Sequence, residues 1–190
     1  MSSLSIRDAD PGHDAAACAA IYAPSVASAP TSFEERPPDA AELGARIAAV
    51  STTHPWLVAE EGGEVVGYAY ARPYEERSAY RWTASVSVYV APGRGGAGIG
   101  RALYEELFAR LREQGFRMAC AGITLPNPAS VALHERLGFV QTGVGREVGW
   151  KLGAWRDVGY YQLELAPAPA GQPPDPASRG EARLPAERAG

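Results

Sequence analysis

A glycine-rich turn stands between a predicted strand and a predicted helix in the middle of the chain, with Gly95, Gly96, Gly98 and Gly100 within six positions. Glycine has no Cβ atom, so an anion can approach the main chain closely, and positive φ angles can aim successive N–H groups at one point. The helix that follows begins with unpaired N–H groups and a partial positive charge. The turn is suited to a pyrophosphate, although the same pattern also occurs in strand-to-helix turns that bind no ligand.

Cysteine and histidine, which often do chemistry, are sparse in this chain. Cys18 and Cys120 both lie in apolar stretches, and neither has a second cysteine or a histidine at the spacing of metal ligands. We interpret both as reduced core residues and expect no metal site.

The elements around the glycine turn indicate one mixed α/β domain. Ile99, Leu103 and Leu107 recur at steps of four and predict a buried helical stripe, which Gly115 ends. The strands are predicted at 4–7, 56–60, 65–71, 82–90, 118–124, 139–142 and 160–165, and the other helices at 14–26, 39–50 and 129–137. We therefore expect a mixed, mostly antiparallel sheet of six to seven strands with about four helices.

Composition narrows the class of protein. The 190 residues are 46% hydrophobic and 21% charged, which is typical of a globular domain. A net charge of −4 argues against sequence-independent nucleic-acid binding, and no stretch has the length of a membrane span or the character of a signal peptide. We expect a cytoplasmic protein with its domain over 1–165 and a disordered tail, rich in Pro, Ala and Gly, over 166–190.

Several short motifs resemble the GNAT acyltransferase superfamily, and within it the phosphinothricin N-acetyltransferase branch. They are TSFE at 31–34, PWLVAE at 55–60, VGYAYA at 66–71, AYRWT at 79–83, SVYV at 87–90, LPN at 125–127, SVALHE at 130–135, GWKLGAW at 149–155 and DV at 157–158. The resemblance spans roughly residues 6–165. It implies a GNAT fold and transfer of an acetyl group from acetyl-CoA, the co-substrate, to a small amine.

The resemblance also implies a donor site on the strand, the glycine turn and the helix after LPN. The main chain of Val88, Tyr89 and Val90 would pair with the pantetheine arm, and an N–H near Val90, where we expect the strand to bulge, would hold the oxyanion. The residues implied for the rest of acetyl-CoA are Gly95, Gly96, Ala97, Gly98, Ile99, Gly100 and Arg101 at the pyrophosphate, and Asn127 and Ser130 on the far side of the arm. Arg101 is equally well read as a solvated side chain.

The proton-transfer groups depart from the family pattern. That branch usually has glutamate as the general base in a Trp-Thr-x-Glu motif, whereas here the position is Ser85. A serine hydroxyl accepts no proton at neutral pH, but it can hold a water that passes one on. The family match makes His134 the leading candidate for proton transfer; the other interpretation is that it packs or caps its short helix.

Acceptor contacts are expected from the segment before that strand and from one aromatic residue upstream. An arginine fork binds a carboxylate through two hydrogen bonds, and aromatic rings can wall a pocket. The candidates are Phe33, Arg77, Tyr80, Arg81, Trp82 and Thr83. Lys151, which is the one lysine of the chain, and Trp155 line either the site or the interface of a homodimer, which this branch commonly forms.

Three functions fit these observations. The first is N-acetylation of a small amino-acid-like acceptor, such as phosphinothricin, methionine sulfone or methionine sulfoximine. The second is acyl-CoA binding with weak or lost catalysis, because Ser85 replaces the usual base. The third is acetylation of a protein N-terminus or of another amine.

Overall fold

A computed structural model describes residues 3–179, which form seven strands and four α-helices in the order predicted. The elements are β1 (Ser5–Asp8), α1 (Ala15–Ala27), α2 (Ala40–Val50), β2 (Trp56–Glu61), β3 (Glu64–Pro73), β4 (Thr83–Val90), α3 (Ile99–Glu113), β5 (Met118–Leu125), α4 (Pro128–Arg136), β6 (Val140–Lys151) and β7 (Ala154–Glu164). A single 3₁₀ turn, Ser78–Tyr80, precedes β4. The predicted fold class, a mixed sheet flanked by helices, is confirmed.

Local signals set the helix ends. Asp39 and Glu42 form a capping box at the start of α2, in which each side chain accepts a hydrogen bond from the other's main-chain N–H. Asn127 caps α4 by accepting from Ser130 N at 3.1 Å, and Pro128 follows at the first helical position, where it costs no hydrogen bond. These caps explain why the helix boundaries follow from sequence to within two residues.

The sheet opens in its middle. Its strand order is β1-β2-β3-β4-β5-β7-β6, and every neighbouring pair is antiparallel except β4 and β5. The parallel pairing of β4 with β5 covers only three residue pairs, which end at Ser85 and Cys120. Beyond that point the two strands diverge, so the main chain at 86–90 is not paired to β5 within residues 3–179.

The prediction of a bulge in β4 near Val90 is wrong. The β3–β4 register runs without a shift from the Gly67–Val90 pair to the Pro73–Ala84 pair. Free main-chain groups on β4 arise instead from the divergence of β5. The opening of the sheet, and not a bulge, is therefore what leaves one edge of β4 unpaired.

Each face of the sheet carries its own core. One face packs on α3 and α4 around Val86, Leu103 and Leu107, which are buried. The other face packs on α1 and α2, where Trp56 stacks on Tyr70 with ring centroids 4.2 Å apart. Because successive side chains of a strand point to opposite faces, adjacent residues of β4 serve different cores.

The last hairpin is longer than predicted. The structure extends β6 and β7 through residues 143–159, which the sequence pattern had not assigned to strands. Glycines at 143, 145, 149 and 159 lower the strand propensity, and register shifts interrupt the pairing between 141 and 143 and between 145 and 149. Pairing with β5 through β7 overrides the weak local preference.

The segment after β7 runs back over the domain. Residues 166–179 form no helix or strand, yet Pro174 O accepts a hydrogen bond from Trp82 Nε1 at 2.8 Å, and Ala177 N donates to Gln114 O at 2.8 Å. The domain boundary at residue 165 and the disordered tail stay predictions. Residues 180–190, which belong to that tail, lie outside the described residues.

Candidate active site

A groove of about 500 Å³ lies between α3, α4 and the end of β4, on the α3/α4 face of the sheet. Its β4 wall consists of Val88 and Val90, whose side chains pack toward α3. The remaining lining residues are Arg94, Gly95, Gly96, Gly98, Ile99, Gly100, Arg101, Ala129, Ser130, Ala132, Leu133, Arg136 and Leu137. The structure thus brings together most of the residues predicted for the donor site.

The glycine turn has the conformation that an anion cradle needs. Gly96 and Gly98 have φ angles of +80° and +82°, a region that side-chain-bearing residues rarely adopt. Gly98 is also the N-cap of α3, and no side chain caps that helix end. The first N–H groups of α3 are therefore free to bind a ligand in the groove.

Three arginines surround the groove, and their pairing differs. Arg101 forms an ion pair with Glu105 at 2.7 Å, and Arg94 forms one with Glu61 at 2.7 Å. Arg136 has no ion-pair partner within residues 3–179. The unpaired charge of the groove thus belongs to a residue that the sequence analysis missed, although Arg136 stands six positions after the predicted Ser130.

Three predicted donor residues do not line the groove with their side chains. Tyr89 points to the opposite face, where its ring lies 4.8 Å from the ring of Tyr22. Asn127 uses its side-chain oxygen to cap α4. Ala97 does not border the groove. For Tyr89 the prediction concerned its main chain, which lies on the strand edge that β5 leaves free.

His134 lies inside the protein, at 3% exposure. Its Nδ1 is 2.8 Å from Ser130 O, a group that only accepts, so Nδ1 carries the proton and Nε2 accepts from the Tyr104 hydroxyl at 3.2 Å. Burial lowers the pKa of His134, and the Ser130 contact opposes that shift only in part. Burial likewise raises the pKa of Tyr104 above its usual range, so its hydroxyl stays a donor.

His134 does not border the groove between α3 and α4. Its neighbour Leu133 lines the groove, whereas the imidazole packs against the rings of Tyr104 and Phe139. Both interpretations of His134 made from the sequence, proton transfer and packing of its helix, stay open. The contacts do explain why a histidine suits this buried position.

A second cavity, of about 270 Å³, opens on the α1/α2 face where β4 and β5 part. At its floor, the strand registers align Arg72 of β3 with Ser85 of β4, Ser85 with Cys120 of β5, and Cys120 with Gln162 of β7. The other lining residues are Tyr74, Glu75, Ala121, Gly122, Thr142, Tyr160 and Tyr161. Of these residues, only Ser85 was predicted.

This second cavity is lined by one positively and one negatively charged side chain. Arg72 contributes a guanidinium group and Glu75 a carboxylate, while Ser85 is neutral. Burial raises the pKa of the Cys120 thiol, so this group stays neutral as well, although a contact with Gln162 opposes the shift. A cavity with one positive and one negative wall suits a zwitterion.

The predicted acceptor-binding residues lie elsewhere. Phe33 packs over Gly149, where an added Cβ would be 2.4 Å from its ring. Arg77 and Tyr80 line a separate cavity that shares Tyr74 and Glu75 with that of Ser85. Arg81 forms an ion pair with Asp175 at 2.5 Å and lies over the ring of Trp82. Trp82 donates a hydrogen bond to Pro174 O, and Thr83 pairs with Met118 between β4 and β5.

These six residues do not border the Ser85 cavity, and their acceptor-binding role stays a prediction. Most of the residues that do border it lie in predicted strands, namely Ser85, Cys120, Ala121, Gly122, Thr142, Tyr160, Tyr161 and Gln162. Arg72, Tyr74 and Glu75 lie outside the predicted strands, and no local pattern in the sequence indicated that these segments share a cavity.

Lys151 and Trp155 have separate surroundings. Lys151 is 6% exposed, and its Nζ donates to Glu34 O, which ties the α1–α2 loop to β6. Trp155 is 58% exposed and pairs across the hairpin with Trp150, with ring centroids 5.4 Å apart. Neither lines the donor groove or the Ser85 cavity.

Within residues 3–179, no group of three or more His, Cys, Asp or Glu side chains has the arrangement of a metal site. In that same part of the chain, none of the helices combines the length and the apolar character needed to cross a membrane.

Comparison with known proteins relates the chain to acetyltransferases. The family model described as Acetyltransferase (GNAT) family matches residues 21–139. A phosphinothricin N-acetyltransferase of Alcaligenes faecalis is 46% identical over 154 residues, which is 80% of this chain and 78% of the relative. An L-methionine sulfoximine/L-methionine sulfone acetyltransferase of Pseudomonas paraeruginosa is 38% identical over 167 residues, which is 87% of this chain and 96% of the relative.

Solved structures agree with these sequence relatives. A GNAT superfamily phosphinothricin acetyltransferase from Sinorhizobium meliloti, in complex with AcCoA, superposes with a TM-score of 0.86 at 36% identity. The match covers 97% of this chain and 100% of that one.

Proposed function

The chain belongs to the GNAT acetyltransferase family, and from this premise we propose that it transfers the acetyl group of acetyl-CoA to the α-amino group of a small amino-acid-like acceptor. The acceptor class is that of phosphinothricin, methionine sulfone and methionine sulfoximine, which the names of the relatives contain.

The observation that carries this proposal is the position of the two cavities. The donor groove and the Ser85 cavity lie on opposite faces of the sheet and adjoin the same opening between β4 and β5. An acetyl group presented through the opening from one side can meet an amine held on the other. Arg72 and Glu75 in the second cavity have the charges to bind the carboxylate and the ammonium of an amino acid.

Acetyl-CoA is proposed to bind along β4 and the glycine turn. The edge of β4 at 88–90 that β5 leaves unpaired suits the pantetheine amides, and the free N–H groups around Gly98 suit the pyrophosphate. Arg136 has its charge available for the phosphates, whereas Arg101 would first have to leave Glu105. Ser130, Leu133 and their neighbours on α4 form the opposite wall.

The reaction needs a neutral amine, a stabilised oxyanion and a proton for the departing thiolate. An amine with a pKa near about 10 is mostly protonated at neutral pH, so a proton acceptor speeds the reaction. We propose that Ser85 holds a water beside the amine and that His134 takes part in proton transfer to the thiolate. A main-chain N–H near Val90 is proposed to bind the oxyanion.

Thiol release from acetyl-CoA tests this function. Phosphinothricin, methionine sulfone, methionine sulfoximine and the ordinary amino acids form the acceptor panel, with the N-acetylated form of each active acceptor as its blocked control. We expect release with free α-amino acceptors and none with the blocked ones. Normal acetyl-CoA binding by calorimetry, together with no release above hydrolysis for any acceptor, would refute the proposal.

We also propose a cytoplasmic homodimer. The hairpin of β6 and β7 exposes large apolar side chains at Val148, Trp150, Leu152 and Trp155, each more than half exposed. Such a patch favours a protein–protein contact, and two free buried cysteines fit a reducing compartment. Sedimentation velocity should give a dimer for the native chain and a monomer for Trp155→Glu; a native monomer would contradict the proposal.

A further inference from the structure

A carboxylate, that of Glu75, borders the same cavity as Ser85, the position at which the family's usual base is absent. Ser85 pairs with Arg72 on β3, and β3 ends one residue later, at Pro73. The chain then leaves the sheet, so that Tyr74 and Glu75 form the rim of the cavity whose floor contains Ser85. Glu75 is thus ten positions from Ser85 in sequence but borders the same space.

Apart from Glu75, the residues that line this cavity include no anion that could accept a proton at neutral pH. Ser85, Thr142, Gln162 and the tyrosines are neutral polar side chains, and burial raises the pKa of the Cys120 thiol. Arg72 is a permanent cation. Glu75 is the one acidic side chain among the lining residues of this cavity.

The Glu75 carboxylate is also available. Within residues 3–179 it takes part in none of the side-chain ion pairs, although the neighbouring loop contains Arg77 and Arg81. Arg81 pairs with Asp175 instead, and Arg72 has no ion pair either in that part of the chain. Both charges of the cavity therefore lack a protein partner, which leaves them for a ligand.

We infer that Glu75 is the proton acceptor of the acetyl transfer, acting on the acceptor nitrogen from the rim of the Ser85 cavity, directly or through a water held by Ser85. This assignment rests on the proposed function. The nitrogen lone pair forms the C–N bond to the thioester carbonyl, and the C–S bond breaks to release the thiolate. Of the two protons that the ammonium group loses, one passes to Glu75 and on to solvent, and the other protonates the thiolate.

Glu75 is exposed, so a proton that it accepts can pass directly to water in the last step. A positioned base contributes about 10²- to 10⁴-fold to such a reaction. Since the loop holding Glu75 is at the surface, we expect the lower end of that range.

The test is a base-relocation series. Glu75→Gln keeps the shape of the side chain and should lower kcat by about 10²-fold, with acetyl-CoA affinity unchanged. Adding Ser85→Glu to that variant places a carboxylate on β4 and should restore at least tenfold of the loss. Glu76→Gln, the matched control next to Glu75 but outside the Ser85 cavity, should stay within about twofold of the native kcat.

The outcomes separate this inference from the proposed function. If the native enzyme turns over and Glu75→Gln has the same kcat, or changes only the KM of the acceptor, Glu75 is not the base. If the double variant is no faster than Glu75→Gln, the exchange of base positions fails and the inference falls as well. If no acceptor is turned over by the native enzyme, the proposed function falls, and the assignment of Glu75 falls with it.

Discussion

Replacing His54 by glutamine should remove a large part of the acid sensitivity of this fold. His54 lies between α2 and β2 at 7% exposure, with Nδ1 2.8 Å from Thr53 Oγ1 and its ring 5.0 Å from that of Phe116. Burial lowers its pKa from 6.5 to about 4, because the charged imidazolium would lose its hydration. The folded protein therefore holds this side chain neutral.

The size of the effect follows from linkage. The unfolded chain binds the proton at about pH 6.5 and the folded chain only at about pH 4, so protonation favours unfolding in the interval between them. The neutral ring makes its full contribution to the free energy of unfolding above about pH 7, and this contribution is lost as the pH falls. Between about pH 7.5 and about pH 5, this single site should lower the free energy of unfolding by about 2 kcal/mol.

Urea unfolding followed by tryptophan fluorescence measures this free energy at several pH values in that interval. The native protein should lose stability steadily as the pH falls, and His54→Gln should lose about 2 kcal/mol less over the same interval. Any remaining slope of the same sign fits His134, whose pKa is also lowered by burial. If the variant loses as much stability as the native chain, the assignment of this slope to His54 is wrong.

Two further predictions concern the donor groove and the N-terminal ion pair. At Gly100 an added Cβ would lie 3.4 Å from Leu133 Cδ2, which is an ordinary contact, so Gly100→Ala should have only a small effect. Gly100→Leu should fill the groove and raise the KM for acetyl-CoA by at least about tenfold. Equal KM values for the two variants in steady-state kinetics would contradict this prediction. Asp14 is fully buried and binds Arg7 at 2.6 Å, so Asp14→Asn should cost about 3 kcal/mol by urea unfolding at neutral pH. Burial by itself would raise the pKa of Asp14, but the hydrogen bonds from Arg7 and His13 lower the pKa by more than burial raises it. The stability that the ion pair contributes is therefore present above about pH 4 and is lost below it. The native protein should approach the stability of the variant in strong acid.

Elements with local signals were predictable. The capping box of α2 and the buried stripe of α3, whose apolar residues recur every four positions, depend only on residues within one or two helical turns. The local sequence is therefore sufficient to predict both. The long β6–β7 hairpin was missed because glycine-rich strands have little intrinsic preference and depend on pairing with β5. Pairing partners distant in sequence carry no local signal.

The glycine turn and the helix after it could be assigned from the sequence by itself, because a positive φ angle, a helix start and free N–H groups are properties of a few consecutive residues. The residues of the proposed acceptor cavity are brought together only by the tertiary structure. Arg72, Ser85, Cys120 and Gln162 come from four strands, and the sheet registers align them in one row. A shift of one residue in any of those registers would turn a side chain to the opposite face, so only the folded sheet determines which groups share the cavity with Glu75.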